Sequence, residues 1–178
     1  MEGSIKSTIE SLSKSLNFVI GNYYVLAGDN VSCKGQPFFI NGCDDGLTAF
    51  QDKSQDYPFG KGKGLPGRVW ASGTYEWCPN VQKFPWEKYA RKQLAIDNEI
   101  CACLGVAHTE GGVFKGVMEF FLTTEATENE ETVAKVRAAI QHWSIVLCDN
   151  FYNLHTNIHH FTLVYIFSLG ILLFSRYC

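Results

Sequence analysis

Gly60-Lys61-Gly62-Lys63-Gly64-Leu65-Pro66-Gly67-Arg68-Val69-Trp70-Ala71-Ser72-Gly73 is the stretch on which the reading of this chain turns. Its glycines permit a tight turn, and the residues from Arg68 onward read as a short helix that Gly73 stops. A phosphate loop needs four residues between its first glycine and a Gly-Lys-Ser/Thr triplet, so that lysine and hydroxyl reach phosphate and metal. Neither Gly60-Lys61 nor Gly62-Lys63 is followed by a hydroxyl residue. No strand precedes the stretch in a βαβ unit, as a dinucleotide fold requires. The stretch is therefore read as a turn that packs a helix against a sheet.

Downstream, Pro85-Trp86-Glu87 opens a predicted helix reaching Asn98, because proline suits the first helical turn. The apolar runs 101–107 and 113–122 flank Glu110-Gly111-Gly112 and predict an antiparallel hairpin, with Val117, Glu119 and Phe121 on one face. Val133, Val136, Ile140, Trp143 and Leu147 follow helical spacing, with Thr127 and Glu130 as a capping box. Upstream, Ile5, Ile9, Leu12 and Leu16 mark a helix, and Ser7 with Glu10 forms its capping box. Tyr23–Leu26 and Pro37–Ile40 read as short strands pairing as neighbours, while Asp44–Tyr57 reads as a polar loop. Helices at both chain ends around a short-stranded antiparallel sheet make the fold class α+β.

The chain has 178 residues and a formal net charge of −3, with 46% hydrophobic and 19% charged residues. Such a composition excludes a disordered or collagen-like chain. A small negative charge argues against direct nucleic-acid binding by the whole surface. The charge is uneven: Lys61, Lys63, Arg68, Lys83, Lys88, Arg91 and Lys92 face only Glu76 and Glu87 across residues 61–92. Seven cysteines make an odd count, and the first twenty residues lack the apolar run of a secretory signal. Free thiols in a reducing compartment are expected. One domain is expected over residues 1–148, followed by an apolar, His-containing tail at 149–178 outside the domain.

Residues Gly62–Trp70, then Ser72-Gly73, Glu76-Trp77 and Pro79-Asn80-Val81-Gln82, resemble a GAF domain. More narrowly, they are similar to the GAF-like N-terminal domain of plant NIN-like proteins, the nitrate-responsive RWP-RK transcription factors. Tyr24-Val25-Leu26, Gly35-Gln36-Pro37-Phe38, Tyr89 with Arg91, Leu104, Gly116-Val117-Met118-Glu119 and Lys135-Val136 continue the match in one collinear order over roughly 23–145. The chain departs from the family where His-Ala and Arg-Gly are usual, carrying Leu94-Ala95 and Cys101-Ala102 instead. It has Ala107-His108 where the family's strand ends in Leu-Pro. The sequence contains no RWP-RK motif and no PB1 domain, so a truncated form of a longer product is expected.

The resemblance implies a GAF/PAS-like antiparallel sheet and a regulatory, non-enzymatic sensory module that takes a small ligand between sheet and short helices. It implies nitrate, or another small anion, as that ligand. The basic stretch is independently compatible with an anion, because arginine supplies paired donors and helix starts attract negative charge. A solvated basic face is the competing reading. Arg68 and Arg91 are the candidate anion-binding residues, with Trp70 and Trp77 as walls and His108 beside them; core packing is the alternative for each tryptophan. No cofactor, metal or catalytic residue is expected. A homodimer, or a heterodimer with full-length family members, is the implied assembly, in the nucleus or cytoplasm.

Cysteine chemistry is the enzymatic competitor, since some GAF-fold enzymes reduce free methionine sulfoxide. Cys101 and Cys103, two apart on a strand, point to opposite faces, which leaves Cys78 to approach one of them. No Cys-His dipeptide occurs, as bilin attachment in phytochromes requires. His155, His159 and His160 have spacings compatible with zinc, but no Glu follows His155 as a metalloprotease motif needs. Residues 161–175 carry no charge, short of the roughly 20 apolar residues of a spanning helix. A tail anchor, a helix packed on the domain and a truncation product are the three readings of that segment.

Overall fold

Alternating apolar residues set two long strands side by side at the centre of the fold. Ile20–Ala27 (β1) pairs antiparallel with Val113–Leu122 (β7), placing Asn22 opposite Glu119 and Tyr24 opposite Val117. The computed structural model of the chain describes residues 2–141. Glu2–Leu16 (α1) precedes β1, and Asn30–Ser32 (β2) and Phe38–Ile40 (β3) follow it. Both short strands pair with the same edge of β1, one at each end. The 37–40 run therefore pairs with the strand that contains 23–26, but at Ile20–Asn22, while Val25–Ala27 pairs with the intervening β2. Phe59–Gly60 (β4) adds to β2, and Tyr75–Cys78 (β5) adds to Ala102–Glu110 (β6), which forms the expected hairpin with β7. The sheet runs β4-β2-β1-β7-β6-β5, with β3 beside β1.

Four local expectations need correction. Residues 44–57 are not a loop: Asp45–Ser54 is a helix (α2), and the Asp44 carboxylate accepts from the Leu47 N–H at 2.9 Å as its N-cap. Its buried stripe is Leu47, Phe50, Gln51 and Ser54. Two of those four are polar, which hides the helical period from a hydrophobicity reading. The helix expected from Pro85 is only Lys92–Asp97 (α4). Residues 85–91 turn instead, with the Tyr89 N–H donating to the Pro85 carbonyl at 3.1 Å. Tyr89 and Arg91 both bury their side chains, and residues two apart do not share a helix face.

The remaining two concern caps. Ser7 lies within α1 rather than at its start. The last helix (α5, residues 130–141) is capped by Asn129, whose Oδ1 accepts from the Thr132 N–H at 2.9 Å, and not by Thr127. Trp143, Leu147, the tail and its histidines lie outside the described residues.

The sheet has two unlike faces. On the outer one α1 lies against Gly21, where an added Cβ would meet Ile9, Ser13 and Phe120. Phe18 stacks on Phe120 there at 4.9 Å. The inner face carries Ile20, Tyr24, Val117, Phe121 and Cys103, covered by Leu47 and Phe50 of α2, Leu94 and Ala95 of α4, and Leu65 and Val69 of Gly64–Ser72 (α3). The glycine-rich stretch is the turn that seats α3. The Gly62 N–H donates to the Gly67 carbonyl at 2.7 Å, and any Cβ on Gly67 would collide with the Gly60 carbonyl oxygen. Gly73 ends α3 in the left-handed conformation, as expected.

Candidate functional site

Arg91 carries the largest of the fully buried side chains among the described residues, only 1% exposed. A guanidinium cannot shed its charge, so burial demands a partner. β7 supplies it. Glu119 sits between Val117 and Phe121 on the inner face and is 0% exposed, and its Oε1 accepts from Arg91 Nη2 at 2.6 Å. Arg91 Nη1 donates to the Tyr24 hydroxyl at 2.9 Å and to Ser54 Oγ at 3.4 Å. The rings of Phe50, Phe59, Tyr89 and Phe121 surround its Cζ at 5.2–5.7 Å.

Burial works against the Arg91 charge, yet Glu119 and the nearby phenols leave the guanidinium well above its ordinary range. Burial pushes the Tyr24 and Tyr89 phenols up as well, so both remain protonated donors.

The surroundings of this ion pair hold more polar atoms than the protein itself satisfies. Arg91 Nε, Glu119 Oε2, the Tyr89 hydroxyl and both side-chain atoms of Asn22 and Gln51 are buried without a hydrogen-bond partner among the described residues. Asn22 is the cross-strand partner of Glu119 and shares its face with Ile20 and Tyr24. Gln51 lies on the buried stripe of α2 one turn before Ser54. Buried polar atoms are almost always paired with protein, ordered water or a bound group. The unpaired donors, Arg91 Nε, Tyr89 OH, Asn22 Nδ2 and Gln51 Nε2, suit an oxygen-bearing ligand. The Nε and Nη2 edge of a guanidinium is also the fork that grips a planar oxyanion.

The other residues expected at the site are not gathered there. Arg68 forms a two-point pair with Glu76, Nε to Oε2 and Nη2 to Oε1 both at 2.8 Å, and Nη1 donates to the Lys88 carbonyl at 2.7 Å. It ties α3 to β5 and to the turn before Arg91. Trp70 stacks on Phe114 at 5.9 Å, with Lys61 Nζ over its ring at 5.5 Å.

Trp77 and His108 lie on the opposite face. Cys78 and Cys103 face inward as register partners, so their neighbours Trp77, Leu104 and His108 turn outward. Trp77 Nε1 donates to the Ala126 carbonyl at 2.8 Å and lines an open groove of about 450 Å³ with Leu16, Phe18 and Leu122. His108 Nδ1 is 2.7 Å from the Tyr23 hydroxyl, and its Nε2 is 3.4 Å from Glu110. Burial lowers the His108 pKa, and Glu110 opposes that in part.

Glu119 was the missed signal. A carboxylate at the middle of a core-facing register has to find a buried cation, and Arg91 is that cation. Gln51 and Ser54 were hidden because their helix was read as a loop. Cys78 does approach Cys103, while Cys101 is half-buried and accepts from Gln82 Nε2 at 3.6 Å. Among the described residues no cluster of His, Cys, Asp and Glu is arranged to hold a metal ion. No described helix is long and apolar enough to cross a membrane.

Comparison with known proteins agrees with this architecture. The chain is 31% identical over 121 residues to Protein NLP7 of Arabidopsis thaliana, an alignment spanning 64% of this chain and 13% of NLP7. It thus covers about an eighth of the length of the curated relatives it matches. The GAF domain/HD domain protein of Geobacter sulfurreducens superposes with a TM-score of 0.65 at 13% identity, over 83% of this chain and 92% of that one. The type II free methionine-R-sulfoxide reductase of Thermoplasma acidophilum gives 0.61 at 12% identity, over the same shares. At such identities these two structures speak to fold alone. Residues 25–147, which contain most of the sheet, the glycine-seated α3 and the buried Arg91–Glu119 pair, match the family model described as the NLP protein GAF domain, and to that family this chain belongs.

Proposed function

We propose that this chain is a regulatory, non-enzymatic small-ligand module that holds a small anion, nitrate in the first instance, at Arg91. The observation that carries this reading is a permanently charged guanidinium in the core whose Nε is unpaired. The Tyr89 hydroxyl, the Asn22 amide on the strand position opposite Glu119 and the Gln51 amide on the buried stripe of α2 are donors without a partner among the described residues. Membership of the NLP family supports the regulatory role. The relatives are far longer than this chain, and pairing with such longer members is the assembly we propose, in the nucleus or cytoplasm. Isothermal calorimetry with nitrate tests the ligand. Binding heat at millimolar nitrate in the native chain, lost in Arg91→Ala and weakened in the milder Tyr89→Phe, supports the reading. Absence of heat in the native chain removes it.

One observation favours a second reading, a thiol enzyme acting on methionine sulfoxide. Cys78 and Cys103 are directly opposed across β5 and β6 on the inner face. Burial holds the Cys103 thiol well above its ordinary range, which disfavours the nucleophilic thiolate. Any reductase activity that survives joint replacement of Cys78, Cys101 and Cys103 would end this reading.

A further inference from the structure

The candidate site is already charge-balanced before any ligand arrives. The ionisable groups that act on Glu119 are Tyr24 from β1, Cys33 after β2, Tyr89 and Arg91 ahead of α4, and Cys103 from β6. Burial raises the pKa of Tyr24, Cys33, Tyr89 and Cys103, so these four are neutral near neutral pH. That leaves one positive charge on Arg91 and one negative charge on Glu119. A monoanion added to this pair gives the buried cluster a net charge of −1, in surroundings of aromatic rings where an unbalanced charge is poorly tolerated.

We propose that an anion enters this site together with one proton, and that Glu119 is the group that takes the proton up. This rests on the reading of Arg91 as the anion-holding residue. Glu119 Oε1 accepts from Nη2, one nitrogen of the guanidinium fork, while the other, Nε, has no partner among the described residues. A planar oxyanion that grips the fork side-on needs both nitrogens. Nη2 carries a second N–H, so an anion on this edge shares Nη2 with Glu119, and the Arg91 charge then faces two negative charges at once.

Protonation of Glu119 resolves the imbalance. The Glu119 carboxyl becomes neutral, Arg91 pairs with the anion, and the cluster returns to zero net charge. The new O–H also has an acceptor beside it. Asn22 is the register partner of Glu119 on the same face, and its Oδ1 is unpaired. Asn22 on this account is a positioning residue that receives the proton's hydrogen bond.

The test uses the full 178-residue chain with nitrate as the probe. Calorimetry is run at one pH in two buffers of different ionisation enthalpy, such as MES and Bis-Tris, and Kd is then followed between about pH 6 and about pH 8. Linkage to one proton predicts uptake of about one proton per nitrate and a Kd that weakens about tenfold per pH unit. Glu119→Gln mimics the protonated carboxyl, so it should bind nitrate with neither proton uptake nor pH dependence. Should that variant not fold, the two-buffer measurement on the native chain decides by itself. Nitrate binding with no proton exchange and a flat Kd overturns the inference and leaves the anion reading standing. Proton uptake that persists in Glu119→Gln overturns it too, by assigning the proton elsewhere. No binding at any pH removes the anion reading and this inference with it.

Discussion

Arg91 and Glu119, 28 residues apart in sequence, meet at 2.6 Å with neither side chain open to solvent. The contact joins the segment before α4 to the central strand β7. It makes the polar heart of the inner face a structural element as well as a candidate binding site.

Breaking one side of this pair strands a buried charge, which typically costs 3–5 kcal/mol. Arg91→Met and Glu119→Leu should each destabilise the domain by about that much. The double variant should recover much of the loss, since an apolar replacement of both partners leaves no lone charge. Urea denaturation of the four proteins measures this. Single variants that each cost less than about 1 kcal/mol would show that the pair is not closed to solvent in solution.

The seat of α3 gives a second test. At Gly67 a Cβ has no room because the Gly60 carbonyl oxygen occupies its place. Gly67→Ala should therefore cost about 1–3 kcal/mol, as overpacking does. At Gly111, with φ of +55°, an added Cβ meets nothing within 4 Å. Gly111→Ala carries only left-handed backbone strain, about 1–2 kcal/mol. Thermal melting separates the two, with the larger fall expected at Gly67. An equal or smaller fall there would mean that the helix shifts freely away from β4.

Much of this fold was legible because its signals are local. The Gly60–Gly73 turn and helix, the hairpin around Gly111-Gly112 and the α1 stripe each declare themselves within about a dozen residues. Of the site only Arg91 was legible, as an anion-binding candidate inside a basic stretch; its partners Glu119, Tyr24 and Ser54 lie far off in sequence and were not. Arg68 belonged to the same charge excess but is absorbed by Glu76. Trp77 and His108 were named beside the arginines as ligand-binding candidates, and the period of two along β5 and β6 sends them to the other face. Gln51 shows the remaining limit: a polar residue on a buried helical stripe defeats a reading that looks for apolar ones.

Thiol reactivity should sort by exposure. Cys43 is exposed, Cys101 is half-buried, and Cys33, Cys78 and Cys103 are buried. Burial raises the pKa of Cys33 and Cys103, which reduces their thiolate fraction further. Under native conditions iodoacetamide should label Cys43 first among these five, with Cys103 labelled at a comparable rate only after denaturation. Peptide mass spectrometry reads the order. Early native labelling of Cys103 would contradict its burial and would favour the thiol-enzyme reading.

On the outer face, His108 makes stability depend on pH with a definite sign. Burial lowers its folded-state pKa below the ordinary 6.5, so in the window just below 6.5 the unfolded chain binds the proton more readily than the folded one. Stability is then fully present above that window and falls as pH drops through it towards the folded-state value. The Tyr23 hydroxyl at 2.7 Å from Nδ1 fits the neutral ring, where one partner donates and the other accepts. His108→Gln keeps a polar side chain without a titration in this range, so its urea midpoint should change less between about pH 7 and about pH 5.5 than that of the native chain. Equal slopes for the two proteins would remove His108 as the source and move attention to the carboxylates, which titrate lower still.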